Sequence, residues 1–349
     1  MSPSFAFLVH PRTSLAEDLG RVWSPLAAVP ERFYDTALRR LDLPPVRMAG
    51  VRIGGHDVGH VLLVPYGARH LLADPVEGRR RVVRAVDRAV RLGADVVGLG
   101  ALTATVTGGG LALRARDDIG VTNGNAFTAA TVDAQVRDLL DLATRGGRHV
   151  AVVGATGSVG SAVTRLLARD GAAHRLTLVA RSTARLTALA DAVRPTVPTV
   201  TATDLAVVAE ADLVVLLTAS TDALLRPHHL APGAVVLDAT QPRNTAPGLA
   251  EARPDVLVVD GGIVEIPTLR LVGGDIGLPD GRAYACFAET ALLALTGHAG
   301  HFAIGTPTLE QVDHIRDVAA DQGHLGFRPA APTSFGAPLV PARATAVTA

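Results

Sequence analysis

The run V-A-V-V-G-A-T-G-S-V-G, Val150 to Gly160, constrains this chain more than any other segment. Apolar Val150 to Val153 leads straight into Gly154, Gly157 and Gly160, and Val159, Ala162, Val163, Leu166 and Leu167 then recur at helical spacing. Strand, glycine turn and helix in that order make the phosphate-binding corner of a dinucleotide fold. The first glycine permits the tight turn, the second lets backbone N–H groups approach a pyrophosphate, and the third lets the helix pack close to the strand. Unpaired amides at the helix start then meet the phosphate charge. Gly154, Thr156, Gly157, Ser158, Val159 and Gly160 are therefore the expected cofactor-binding residues. Strand-like segments begin at Val150, Leu176, Val197, Leu213, Val235 and Val256 with helical segments between them, which predicts a doubly wound parallel sheet of Rossmann type.

The second strand of that sheet selects the dinucleotide. A free ribose 2′-OH is usually met there by Asp or Glu, whereas Leu176 to Ala180 is followed by Arg181, Ser182 and Arg185. Those side chains suit a 2′-phosphate, so NADPH is the expected cofactor. The chain also has no lysine, every basic side chain apart from histidine being arginine. Schiff-base chemistry on a side-chain amine is therefore excluded. So are the Tyr/Lys pair of short-chain dehydrogenases and the Lys/Asp pair of shikimate-dehydrogenase-like enzymes.

A length of 349 residues supports two domains, each with its own core. The net charge is zero, which leaves no electrostatic footprint for nucleic acid or an anionic membrane. The longest uncharged apolar runs, such as Leu213 to Ala219, are too short to span a bilayer. The N-terminus lacks a basic segment before its apolar run, and one cysteine precludes an intrachain disulfide, so a cytoplasmic protein is expected.

An α/β N-terminal substrate domain is expected over 1–146, with strands at Phe5–Val9, Val46–Ile53, Val58–Val64, Asp95–Leu99 and Ile119–Thr122. Helical pattern covers Ser14–Leu41, Val76–Leu92 and Thr128–Thr144, and Gly146-Gly147 marks the boundary. The dinucleotide-binding domain follows over 147–281. A helical segment over 282–328 is expected to pack back on the first domain, and the Pro- and Ala-rich residues 329–349 read as a disordered tail.

The sole cysteine, Cys286, lies in Y-A-C-F-A-E-T just after the turn-like G-L-P-D-G, so Asp280 or Gly281 is expected to cap a helix starting at Arg282. Tyr284, Phe287, Ala288, Ala291, Leu292 and Leu295 form the apolar stripe of that helix, and Cys286 falls opposite its centre. A site near a helix N-terminus would lower the thiol pKa and favour a nucleophilic thiolate. A small buried hydrophobe is the alternative role for such a residue.

Four motifs make the chain resemble the long-chain acyl-[acyl-carrier-protein] reductases of cyanobacteria. They are V-A-V-V-G-A-T-G-S-V-G-S-A-V at Val150–Val163, A-R-S-T-A-R-L at Ala180–Leu186, D-G-G-I-V-E at Asp260–Glu265 and Y-A-C-F-A-E at Tyr284–Glu289. The resemblance runs over most of residues 1 to 328. It implies that Cys286 is acylated by a thioester of acyl carrier protein or CoA, and that hydride from NADPH releases the aldehyde. N-G-N-A-F-T-A at Asn123–Ala129 is similar to a family segment near the cofactor and substrate cleft. Backbone amides around Cys286 would hold the oxyanion, and His298 or His301 is a candidate proton donor. D-A-T-Q-P-R-N at Asp238–Asn244 and Phe127 depart from the family pattern, and the first domain differs most, which leaves the acyl group open.

Arg79-Arg80-Arg81 is a candidate docking patch for an acidic carrier. Glu265 and Glu289 sit in matched motifs, with structural and proton-moving roles equally open. His56 and His60 lack the pattern of a metal site, so none is expected there. Two other functions keep the same fold: reduction of a free carbonyl or imine with Cys286 a bystander, and non-catalytic NADP(H) binding as a sensor or scaffold.

Overall fold

The computed structural model describes residues 4–11, 16, 20, 24–143, 146–220 and 222–339. The chain divides into two compact units, Met1–Thr128 with Val264–Arg328, and Ala129–Ile263 with Pro329–Ala349. In the first unit it forms β1 (Phe5–Val9), α1 (Glu31–Arg40), β2 (Val46–Ile53), β3 (His56–Leu63), α2 (Ala68–Ala73), α3 (Pro75–Arg91), β4 (Val96–Leu99), α4 (Leu102–Val106) and β5 (Gly120–Thr122). Helix α5 (Asn125–Leu140) leads to β6 (His149–Val153), α6 (Ser158–Arg169), β7 (Arg175–Val179), α7 (Thr183–Val193) and β8 (Thr199–Ala202). Then come β9 (Leu213–Leu216), β10 (Val235–Asp238), α8 (Gly248–Ala252) and β11 (Leu257–Asp260). The last stretch holds β12 (Ile263–Glu265), β13 (Arg270–Gly273), β14 (Arg282–Tyr284), α9 (Ala285–Leu295), α10 (Leu309–Asp321), β15 (Arg328–Pro329), β16 (Thr333–Ser334) and β17 (Ala337–Pro338).

The first unit is built on a six-stranded sheet in the order β13-β2-β3-β1-β4-β5. Strands β3, β1, β4 and β5 are parallel, and β2 and β13 extend one side antiparallel. Side chains alternate along β1. Ala6 and Leu8 pack with Leu62, Val97 and Leu99 against Val82, Val86 and Ala89 of α3. That helix begins cleanly because the Asp74 carboxylate accepts from the Glu77 amide at 3.0 Å and Pro75 follows it. Phe5 and Phe7 point the other way and meet Phe287 of α9 edge-to-face, with ring centroids 5.4 and 5.2 Å apart. Helix α9 rides so close to the sheet that a Cβ on Gly98 would lie 2.0 Å from Thr290 Oγ1. Helix α9 thus packs on this sheet, and α10 packs against α9.

The second unit carries an all-parallel sheet in the order β11-β10-β9-β6-β7-β8. Counted from β6, that is the 3-2-1-4-5-6 order of a doubly wound Rossmann fold, and its switch point lies between β6 and β9. Central strands such as L-V-V-L at Leu213–Leu216 are completely buried, as helices on both faces require, while the edge strand β8 reads T-V-T-A and leaves Val200 exposed.

Several sequence expectations are corrected. Within the described residues the helix expected over Ser14–Leu41 is broken: Ala16 and Gly20 are helical, and a 3-10 turn at Ser24–Ala28 and α1 follow, interrupted at Pro30. Helix α5 starts three residues before Thr128, because side chains distant in sequence cap it, and ends at Leu140. The helix expected from Arg282 begins instead at Ala285, since Arg282–Tyr284 is drawn into a three-stranded sheet beside β12. The compact units part at Thr128/Ala129 rather than at Gly146-Gly147.

The disordered tail is also corrected as far as residue 339, and residues 340–349 lie outside the described ones. Strands β16 and β17 form a small hairpin. Buried Asp260 anchors it by accepting from Thr333 Oγ1 (2.7 Å) and from the amides of Phe335 (3.1 Å) and Gly336 (2.8 Å), while pairing with Arg243. A Pro/Ala-rich segment without periodicity offers no local sign of such a long-range anchor. No helix among the described residues is long and apolar enough to cross a membrane.

Candidate active site

In the first unit, the segment after the carboxyl end of β5 meets the start of α9. Tyr284 is the extended N-cap of that helix and makes no side-chain cap, so Cys286 is its second residue. From Ala285 to Ala294 every residue is buried except half-buried Cys286; Glu289, Thr290 and Leu293 on its own face are buried too, so the helix does not show the one-sided stripe expected of it. Facing it is Gly124, just beyond β5, with φ +72°. A Cβ there would lie 2.2 Å from Cys286 Cβ and 2.4 Å from its Cα, so glycine alone permits this approach.

The expected lowering of the thiol pKa is overturned. Burial, followed by the nearby Glu289 carboxylate, pushes the Cys286 thiol up to about 12. The amides of Phe287 and Cys286 pull it down but do not prevail. A helix N-terminus contributes about 0.3–1 kcal/mol at exposed sites, which is small beside the cost of withdrawing a thiolate from water.

Glu289, one turn along α9, is fully buried. One carboxylate oxygen accepts from the Thr122 hydroxyl, and the other accepts from the Phe127 amide at 2.7 Å. Burial pushes this carboxyl up to about 7 against the stabilising pull of Thr122 and of the Phe127, Ala126 and Gly124 amides. Asn123 completes the corner. Its Nδ2 donates to the carbonyls of Gly109 (3.0 Å) and Gly305 (2.8 Å), and its Oδ1 accepts from the Asn125 amide (3.0 Å). Thr128 donates to the Gly124 carbonyl at 2.7 Å. The N-G-N-A-F-T segment is thereby fixed against the cysteine helix, with Phe127 buried in the core rather than facing solvent.

Two features at these strand ends escaped the sequence reading. His10, directly after β1, accepts from the Leu102 amide through Nε2 (3.2 Å), which leaves Nδ1–H to donate to the Pro11 carbonyl (2.8 Å). That amide follows Ala101, which turns β4 into α4 at φ +47°, a strained conformation for a residue with a side chain. Position at the end of a parallel strand was the one available signal for either residue.

His298 and His301 follow α9, beyond the helix that carries Cys286. His301 accepts from the Val121 amide and contacts the Arg114 carbonyl, and His298 contacts the His301 carbonyl. The Arg79–Arg81 run is largely spent internally. Arg80 pairs with Glu77 and Asp42, Arg81 is buried against Glu77 and Tyr66, and Arg79 bonds the Val106 carbonyl.

In the second unit, β6 ends at Gly154 (φ +88°), where a Cβ would stand 2.5 Å from the Leu217 carbonyl oxygen beyond β9. A Cβ on Gly160 would stand 2.3 Å from the Gly154 carbonyl oxygen, so the close approach of α6 also depends on glycine. Gly157 is the extended N-cap of α6 and offers no side-chain cap. Thr156, Gly157, Ser158, Val159 and Gly160 therefore make a tight turn into α6 at the sheet's switch point, which fits a dinucleotide pyrophosphate. Ser182 caps α7, accepting from the Arg185 amide at 3.4 Å. The Arg185 guanidinium donates to the Thr156 carbonyl, so the end of β7 and the glycine turn come together. Arg181 stands exposed beside them. The departing D-A-T-Q-P-R-N loop is closed by the Asp238 carboxylate, which accepts from both the amides and the hydroxyls of Thr240 and Thr245.

The second unit has the doubly wound, Rossmann-type fold that binds dinucleotides. The family model described as Shikimate / quinate 5-dehydrogenase matches residues 139–260, a span that holds the glycine turn but not Cys286. Over 281 residues, 77% of its length, the chain is 31% identical to aminotransferase PigE of Serratia sp., of which it spans only 32%. It is also 29% identical over 272 residues to the long-chain acyl-[acyl-carrier-protein] reductase of Synechococcus elongatus, covering 72% of this chain and 76% of that protein. Among solved structures, quinate dehydrogenase from Corynebacterium glutamicum in complex with NAD is similar over 92% of this chain and 99% of its own, at 16% identity and a TM-score of 0.40.

Proposed function

We propose that this chain is an NADPH-dependent reductase that converts an acyl thioester of a carrier protein or CoA to the aldehyde through an acyl-Cys286 intermediate. The observation that carries this reading is the placement of Cys286. It is the one partly open residue on an otherwise buried stretch of helix, with uncapped amides around it and Gly124 opposite. The name of the Synechococcus relative supports the same chemistry. The aminotransferase named for the Serratia relative is not supported here. These 349 residues contain no lysine to form a Schiff base, and they span a third of that protein.

Cys286 sulfur attacks the thioester carbonyl, its proton goes to solvent or the departing thiol, and the carrier thiolate leaves. The amides of Cys286 and Phe287 are the nearest donors for the oxyanion. Gly154, Thr156, Gly157, Ser158, Val159 and Gly160 would hold NADPH, which would supply the hydride for the acyl carbon. The Cys286–carbon bond would then break, aldehyde would depart as the thiolate leaves it, and a proton from solvent would restore the thiol.

NADPH rather than NADH follows from Arg181, Ser182 and Arg185 at the end of β7, where no carboxylate is available for a ribose 2′-OH. Replacing Arg181 and Arg185 together by alanine is expected to weaken NADPH binding at least about 100-fold, at roughly 1.5–3 kcal/mol for each charge-assisted contact, and to leave NADH within about threefold. Fluorescence titration with both nucleotides checks this.

The reading itself is tested by intact-protein mass spectrometry after mixing the enzyme with acyl-CoA and acyl-carrier thioesters without NADPH. A mass gain equal to the acyl group, lost with aldehyde release on adding NADPH, is expected. Because the resting thiol titrates so high, adduct formation should quicken about tenfold per pH unit between pH 8 and 10. The raised thiol is also what favours a second reading, reduction of a free carbonyl or imine with Cys286 a bystander. Absence of an adduct with every thioester, despite tight NADPH binding, would select it.

A further inference from the structure

Cys286 is held by a neighbour whose own place in the fold is unusual: Glu289, a carboxylate with no exposure to solvent and, among the described residues, no basic partner. Its contacts are all donors from one corner of the first unit, namely the Thr122 hydroxyl at the end of β5 and the first amides of α5. Gly124 lies between those donors and abuts Cys286. Glu289 and Cys286 stand one turn apart on the same helix, so a single carboxylate ties the first turn of α5 to the first turn of α9.

We infer that Glu289 is the positioning residue of this site, setting the gap between Gly124 and Cys286 and keeping Cys286 a neutral thiol until substrate arrives. The inference rests on the reading of Cys286 as the nucleophile. Glu289 is the charged group that acts on this thiol, the other influences being burial and the backbone amides of Phe287 and Cys286. The groups facing Glu289 from β5 and α5 are the uncharged Thr122 and the amides of Gly124, Ala126 and Phe127. When Glu289 ionises it repels a thiolate, so as pH rises through its titration near 7 the thiolate population should grow less steeply than tenfold per unit.

Glu289→Gln tests the inference with little change of shape. The new amide can still accept from Phe127 N–H and, with the Thr122 hydroxyl turned, donate to Thr122 Oγ1, so these two contacts survive while the charge and the carboxylate's hold on the other α5 amides are lost. Alkylation of Cys286 by iodoacetamide, followed across pH, reads the thiol directly and needs no thioester. In folded Glu289→Gln the alkylation midpoint is expected to fall by about one pH unit, with the rate at pH 8 rising about tenfold. Acyl-enzyme formation should drop about tenfold, because uncharged acceptors hold the α5 turn less firmly. Glu289→Asp keeps the charge and shortens the reach, so its midpoint should stay within about 0.3 unit of wild type while acylation falls. An unmoved midpoint in folded Glu289→Gln, or wild-type acylation in Glu289→Asp, overturns the inference. Failure of every thioester to acylate the wild-type protein would instead overturn the thioester reading, and the alkylation midpoints would still decide the role of Glu289.

Discussion

Cys286→Ala is expected to abolish both the acyl adduct and aldehyde formation, with turnover reduced by at least about 10³-fold, because no other thiol exists in the chain to carry the acyl group. NADPH binding should persist, since the nucleotide cradle is built from the other compact unit. The same variant should change the pH dependence of stability in a definite direction. The folded protein holds the thiol proton up to about 12, above the ordinary value of 9.0, so the unfolded chain binds fewer protons between those limits. Wild-type stability should therefore be fully present below pH 9 and decline as pH rises toward 12, and Cys286→Ala should lack this component of the decline. Denaturant melts at pH 8 and 10 measure it. A variant that still reduces thioesters would remove Cys286 from the chemistry.

Gly160→Val is expected to have the second largest effect, the loss of dinucleotide binding by at least about 100-fold. Even a single added carbon would stand 2.3 Å from the Gly154 carbonyl oxygen, and the branched side chain brings two more. Helix α6 must then back away from β6, carrying its uncapped amides out of reach of a pyrophosphate. The contact is to backbone, which cannot rotate aside as a flexible side chain would. Titration with NADPH, beside a melting curve to show that the protein is folded, checks it. Binding within tenfold of wild type would mean that the cradle does not hold the pyrophosphate.

The second unit was readable because its evidence is local. Buried parallel strands are apolar nearly throughout, the helices between them are amphipathic, and the glycines mark the one turn where backbone must approach backbone. What escaped depends on contacts distant in sequence. Helix α5 starts early because Glu289, over 160 residues away, binds its first amides. Helix α9 starts late because Arg282–Tyr284 belongs to a sheet. The thiol of Cys286 looks acidified from its helix alone, but burial first, and the nearness of Glu289 second, reverse that sign. His10 and Ala101 carried no motif at all, since a buried histidine bonded to a turn amide differs in sequence from any other histidine by nothing but its position after a strand.

The hairpin around Asp260 bears on how this protein is handled in the laboratory. A designer trimming the polypeptide after Arg328, to discard what resembles a floppy end, would take away the Thr333 hydroxyl and the Phe335 and Gly336 amides together. Arg243 would then face a shielded anion with too few donors left around it, and breaking up such a buried arrangement typically costs about 3–5 kcal/mol. Because Asp260 closes the last strand of the nucleotide-binding sheet, that loss would fall on the unit expected to hold NADPH. Crystallisation or tagging designs that leave residues through 339 untouched avoid it.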